Sequence, residues 1–236
     1  MTSGDVNQLD GKVHRSKLTG KMMVASLAWQ KATRFMDSPV YPAGFELFRQ
    51  DSPAREVYFS ETGLVKLMRS EDNGRELILS LKFSGSLLGA AAAIHDNPHL
   101  FSAVAVTSCK LVRLTSQAFL DLVSTDSYLA SCLHEILSAE ILDQTARLSQ
   151  IACLPARQRL EQLLWQLACD RSAASGKPAL KFQLPLRSWE AAQLLAITPT
   201  YLSRLFGELE REEIISRSKG WILIKQPTRL WHALDS

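Results

Sequence analysis

Only four of the 236 residues are cysteine, and none precedes position 109. Cys109, Cys132, Cys153 and Cys169 stand 23, 21 and 16 residues apart, so no C-x-x-C pair is present to hold zinc, an iron–sulfur cluster or a redox disulfide. Free thiols packed as small hydrophobes are expected instead. No apolar run reaches the ~20 residues of a membrane-spanning helix. The first 21 residues are polar, and the apolar stretch at residues 22–28 is too short for a secretory leader, so a cytoplasmic protein with no membrane partner is expected. Catalytic constellations are lacking as well. There is no Ser/His/Asp spacing and no metal-ligand cluster, and Gly85-Ser-Leu-Leu-Gly is too short and misplaced for a phosphate loop. An enzyme is not expected.

What is present is an ordinary folded composition, 46% hydrophobic and 22% charged, at a length comfortable for two domains. The net charge of +3 is unevenly spread: residues from 154 onward carry 12 Lys/Arg against 8 Asp/Glu, and the preceding residues 15 against 16. A locally basic segment beside a near-neutral one is the electrostatic footprint of a nucleic-acid-binding module joined to something else.

Within the basic segment, residues 188–196 place Ala191, Ala192, Leu194 and Leu195 on one face of a short helix. Ile197 and Thr198 turn the corner, with Thr198 as N-cap and Pro199 at the first helical position, where a missing N–H costs nothing. The helix that follows, about residues 199–210, buries Leu202, Leu205, Phe206 and Leu209 and leaves Thr200, Tyr201, Ser203 and Arg204 outside. Short polar groups and an arginine in the first turns suit insertion into a DNA major groove. Arg204 is expected to read guanine, and Ser203 a base edge or thymine methyl. The hairpin Ile214-Ile215 to Ile224 makes a two-stranded wing. Arg187, Arg217, Ser218 and Lys219 lie where phosphates should pass.

Upstream, residues 1–21 read as a flexible arm and residues 24–36 as a helix. From 41 to 113 the texture is of short β-type runs, including Gly63-Leu-Val-Lys-Leu-Met-Arg and Arg75-Glu-Leu-Ile-Leu-Ser-Leu, punctuated by turns such as Asn73-Gly74. Residues 116–123 form a helix. Residues 127–151, free of Pro and Gly, form a long one whose recurring Leu129, Leu133, Ile136, Leu137, Glu140, Asp143, Arg147 and Ile151 suggest a seam with a second copy. The expected architecture is α+β: an antiparallel β-roll over 22–125, a long dimerisation helix over 126–153, and a winged helix-turn-helix over 154–236.

In this order the elements resemble the bacterial cyclic-AMP receptor protein and fumarate–nitrate reductase regulator (Crp/Fnr) family. The residues carrying the likeness are Tyr41-Pro-Ala-Gly-Phe-Glu-Leu-Phe, Asn73-Gly-Arg-Glu-Leu-Ile-Leu, Ser102-Ala-Val-Ala-Val, Ala156-Arg-Gln-Arg-Leu and the helix-turn-helix. The resemblance implies a homodimer on a two-fold symmetric DNA site, in contact with RNA polymerase and switched by a small effector in the roll. Members that bind cyclic AMP carry Phe-Gly-Glu and, further on, Arg-Ser/Thr-Ala. Here these read Leu88-Gly89-Ala90 and Phe101-Ser102-Ala103, so the carboxylate and the cation for a buried phosphate are gone. Gln144 and Thr145 replace the hydroxyl pair of the long helix. Gly89, Ala90, Phe101, Ser102, Gln144 and Thr145 therefore mark a degenerate effector pocket, for which cyclic AMP is not expected. Lys82 and Arg113 are cations nearby, and their spacing recommends neither as a substitute. No cofactor is expected; haem on His95 or His99, or another small effector, stays open. The DNA-reading motif Glu-x-x-Ser-Arg keeps Ser203-Arg204 but has Thr200 for its glutamate, which puts the family operator in doubt. The alternative function is a ligand-binding or protein-interaction module that no longer reads a specific DNA site.

Overall fold

The computed structural model describes residues 17–170 and 180–232. The chain opens with α1 (Lys17–Thr33), followed by strands β1 (Val40–Tyr41), β2 (Glu46–Phe48), β3 (Glu56–Thr62), β4 (Val65–Ser70), β5 (Glu76–Lys82) and β6 (Leu87–Leu88). A short helix α2 (Ala90–His95), β7 (Ser102–Ala105) and β8 (Cys109–Thr115) complete the roll. Two helices come next, α3 (Ser116–Thr125) and the long α4 (Ser127–Cys153). The remainder is α5 (Ala156–Asp170), β9 (Lys181–Gln183), α6 (Ser188–Leu194), α7 (Pro199–Arg211), β10 (Ile215–Ser218), β11 (Trp221–Ile224) and α8 (Pro227–His232). Residues 17–21, expected in the arm, are helical, and α1 begins seven residues before the expected 24; residues 1–16 lie outside the described residues.

Two antiparallel sheets, ordered β1-β8-β3-β6 and β2-β7-β4-β5, face each other across Leu47, Tyr58, Val65, Leu88, Ala103, Ala105, Cys109 and Leu111. The period-2 alternation of β3 sends Tyr58 inward and Val57 and Phe59 outward, where they meet α1, α3 and α4 through Trp29, Phe119, Leu129, Leu133 and Ile136. Gly63 between β3 and β4 sits at φ +100° with Cys109 so close that a Cβ would lie 2.6 Å from its sulfur, so only glycine closes this approach. Thr115 caps α3 by accepting from the Ala118 N–H, and Asp126 caps α4 by accepting from the N–H groups of Tyr128 and Leu129.

The long helix corrects the expected seam. Leu129, Leu133 and Ile136 are buried on the protomer's own roll, while Glu140 pairs with Lys82 and Arg147 donates to the Leu194 carbonyl at 3.2 Å. Ile141 and Leu148 are instead 67% and 70% exposed, and with Leu137, Gln144 and Ile151 they repeat at alternating spacings of four and three. Part of the expected seam is therefore buried within the protomer, and the exposed side of α4 carries Ile141 and Leu148, with Ile151 from the expected seam.

Leu154 closes α4 and Pro155 separates it from α5. The C-terminal core then gathers Leu160, Leu164, Leu167, Phe182, Ala191, Leu202, Leu205, Leu209, Ile214 and Ile222. β9 pairs with β11, so the expected two-stranded wing is a three-stranded sheet ordered β10-β11-β9; the run Lys181-Phe-Gln is too short to announce itself.

Candidate DNA interface and effector chamber

The corner between α6 and α7 is built from backbone accounting. Leu195 caps α6, Ala196 takes φ +51°, and the Ile197 N–H returns to the Ala192 carbonyl at 3.0 Å. The Thr198 hydroxyl then accepts from the Tyr201 N–H at 3.2 Å, so α7 starts with an orphan donor satisfied and its N-terminus exposed. Its apolar stripe, Leu202, Leu205, Phe206 and Leu209, is buried, and each side chain contributes roughly 2 kcal/mol. That burial fixes the rotation of the helix and presents Thr200, Tyr201, Ser203 and Arg204 to solvent.

A cleft of 430 Å³ runs between α7 and the wing. It brings together Arg187, Ser203, Arg217, Ser218 and Lys219, residues up to 32 positions apart in the chain, and adds Ser188 and Trp221, which the sequence reading missed. Trp221 is half exposed, with the Lys181 ammonium 5.5 Å from its ring centre. Lys219 and Gly220 both have positive φ and form the tip of the wing. Thr200, Tyr201 and Arg204 lie on the outer side of the same helix. The Arg204 guanidinium stacks 4.9 Å from the Tyr201 ring, and its Nε lies 3.3 Å from a Glu208 carboxylate oxygen. Arg217 is not a free cation: its backbone and guanidinium both donate to Glu210, at 3.0 and 2.8 Å, and it lies over Phe206. The Arg217 hydrogen bond holds the Glu210 carboxyl below its usual range against the opposing effect of burial.

The roll places the pocket residues less evenly. Gly89, at φ +83°, caps α2 where a Cβ would lie 2.9 Å from the Glu56 carbonyl. Ala90 and Ser102 are buried, and the Ser102 hydroxyl accepts from the Gln50 N–H at 2.9 Å. Phe101 is half-buried. On α4, Gln144 is half-buried, while Thr145 is exposed and its hydroxyl donates to its own helix at the Ile141 carbonyl. Of the two histidines, His95 is exposed, whereas His99 stacks on Phe48 at 3.9 Å and burial lowers its pKa. Arg113 is exposed and pairs with Glu56 at 3.4 Å, while Lys82 is buried and pairs with Glu140 of α4.

Roll and reading head are clamped together. Lys66 of β4 meets the buried Glu190 of α6 at 2.5 Å, and Glu190 also accepts from the Arg187 N–H at 2.7 Å. The Gln193 amide acts as one residue of an added strand on β5: its oxygen accepts from the Ile78 N–H at 3.2 Å and its nitrogen donates to the Glu76 carbonyl at 2.9 Å. Leu64 and Ile78 of the roll belong to the same buried cluster as α5, α6 and α7.

A sensing-type roll, a long connecting helix and an exposed reading helix beside a wing define a two-part DNA-binding transcription regulator. A cyclic nucleotide-binding domain matches residues 39–126, and a Crp-like helix-turn-helix domain matches residues 158–233. The chain is 24% identical to the cyclic AMP receptor protein of Thermus thermophilus over 199 residues, 84% of this chain and 88% of that protein. It is 25% identical to the nitrogen fixation regulation protein FixK of Azorhizobium caulinodans over 197 residues, 84% of this chain and 78% of the other. The structure of FixK2 from Bradyrhizobium japonicum superposes with a TM-score of 0.71 at 20% identity, covering 84% of this chain and 96% of that one. The c-di-GMP-responsive regulator CLP of Xanthomonas campestris gives 0.64 at 23%, covering 84% and 98%. The chain belongs to the Crp/Fnr family of transcription regulators, which are not enzymes. Among the described residues no helix is long and apolar enough to cross a membrane, and no group of three His, Cys, Asp or Glu is placed to hold a metal ion.

Proposed function

We propose that this protein is a cytoplasmic homodimer that reads a two-fold symmetric DNA site with α7, contacts RNA polymerase, and does not respond to cyclic AMP. The observation that carries the reading is the face of α7, with Thr200, Ser203 and Arg204 exposed beside a cleft holding Arg187, Ser218 and Lys219. Arg204 reads guanine through its two acceptors, and the cleft follows the phosphates. Dimerisation is supported by the stripe Leu137, Ile141, Gln144, Leu148 and Ile151, of which Ile141, Leu148 and Ile151 are exposed and Leu137 and Gln144 half-buried; its four-three repeat is that of a two-stranded coiled coil with one polar position to set register. Insensitivity to cyclic AMP is supported by the buried Ala90 and the half-buried Phe101, which leave a cyclic phosphate without its cation. No resident cofactor is part of the proposal.

Selection of bound sequences from random duplex DNA tests the reading head. A two-fold site with half-sites about one helical turn apart is expected, and Arg204→Ala should erase its guanine preference while salt-dependent non-specific binding persists. Enrichment of no sequence would favour the interaction module that has lost DNA reading. Calorimetric titration with cyclic AMP should give no binding heat; saturable heat would overturn that part.

A further inference from the structure

Between the stripe of α4 and the reading helix the backbone passes a short joint. Leu154, extended at ψ 140°, closes α4, and Pro155 follows it before α5 begins at Ala156. One side chain spans that joint. Arg159, in the first turn of α5, donates from Nη1 to the Leu154 carbonyl at 2.7 Å and to the Ile151 carbonyl at 3.2 Å. From Nε and Nη2 it donates to the Leu195 carbonyl, at 3.1 and 2.9 Å. Leu195 caps α6, and Ala196 after it turns the corner toward α7 at φ +51°. A second arginine grips the same place: Arg147 of α4 donates to the Leu194 carbonyl at 3.2 Å. The last carbonyls of a helix have no partner within it and form the negative end of its dipole, so a guanidinium suits them. Its planar fork supplies donors in fixed directions, which a lysine ammonium does not. Here one fork serves the C-terminal ends of α4 and α6 at once.

We infer that Arg159 is a positioning residue for DNA reading: with Arg147 beside it, it fixes the corner before α7 to the end of α4, and so sets the separation of the two half-sites that a dimer accepts. Ile151 makes the connection direct. Its side chain is an exposed member of the α4 stripe, while its carbonyl is held by Arg159. From stripe to corner the path is Ile151, the guanidinium and Leu195, and it bypasses the torsions at Leu154 and Pro155. Lys66 and Gln193 hold α6 to the roll, whereas the two arginines hold it to the helix that carries the stripe. The inference rests on the proposed dimer and names what keeps its two heads at one spacing. Heads held rigidly gain from the second half-site an effective concentration that loosely held heads lose.

The test is binding of the full-length protein to three duplexes built from its selected sequence. One carries two half-sites at their selected separation, one the same pair with a base pair inserted between them, and one a single half-site. Arg159→Gln and Arg159→Lys should each lower affinity for the full site at least about tenfold and leave half-site affinity within about twofold. Preference for the selected separation over the inserted one should narrow at least about fivefold in both. Arg147→Met should move these readouts in the same direction. Half-site affinity and circular dichroism report an intact head, and Arg159→Lys, which keeps the charge and the stem, supplies the comparison should Arg159→Gln not fold. Equal losses on the full site and the half-site, or a spacing preference that a folded Arg159 variant keeps, would overturn the inference. A wild type that binds one half-site as tightly as two would instead overturn the dimer reading, and it shows before any variant is made.

Discussion

At the residue scale, orientation matters more than the presence of charge. Arg204 is exposed, so its pair with Glu208 adds little to stability. Its value lies in holding the guanidinium between a carboxylate and the Tyr201 ring before DNA arrives, which lowers the ordering cost of a bidentate contact. Glu208→Gln should therefore narrow discrimination at the base pair read by Arg204 by about three- to tenfold, with the salt slope of binding unchanged. Competition gel shifts with single-base operator variants would show it, and uniform weakening across all positions would deny Glu208 that role. Lys82 gives a pH signature. Its folded pKa of about 8 lies below the ordinary 10.5, so between these values the unfolded chain binds more protons and stability rises with pH. Thermal melts from pH 7.5 to 10.5 should show the rise, at most about 3 kcal/mol, and Lys82→Met should flatten it.

At the element scale, the reading helix was legible because local rules agree there: a Thr198 cap, Pro199 at the first turn and a 3-4 apolar stripe all place the same face outward. Only local information is needed for that. The roll strands were legible for the same reason, through alternation and Asn73-Gly74, where Gly74 takes φ +79°. Strand β9, the stripe of α4 that faces outward, and the placement of Lys82 depend on which remote residues cover which face. Nothing in the spacing of Leu129, Leu133 and Ile136 says whether a roll or a second helix buries them; Trp29 and Phe119 decide it. The corrected seam makes its own prediction. Leu148→Glu puts a charge into the stripe of the proposed dimer at a side chain that is 70% exposed in the protomer, so sedimentation should show monomers with unchanged circular dichroism. A dimer that persists would place the interface elsewhere.

At the scale of the whole molecule, the roll and the reading head are one cooperative body because their cores are continuous. Leu64 and Ile78 pack with Ala191 and Leu194 of α6, the Gln193 amide completes two backbone hydrogen bonds of β5, and Lys66 closes on Glu190. Both charges of that pair are largely buried, and removing one partner of such a pair costs about 3–5 kcal/mol because the other is left uncompensated. Gln193→Ala, which loses two hydrogen bonds, should cost about 1–3 kcal/mol. Scanning calorimetry of the wild type should accordingly give one transition. Lys66→Met together with Gln193→Ala should split it into two, with the earlier one belonging to the smaller reading head. The consequence for function follows from symmetry. A two-fold site demands that both α7 helices be held about 34 Å apart, and a head that swings on Pro155 satisfies that spacing only part of the time. The double variant should lose affinity for the full site while keeping wild-type affinity for an isolated half-site, since α7 and its cleft are untouched. If full-site binding stayed at the wild-type level after the melt had split, the clamp would serve stability alone, and the spacing of the two heads would have to be set by α4.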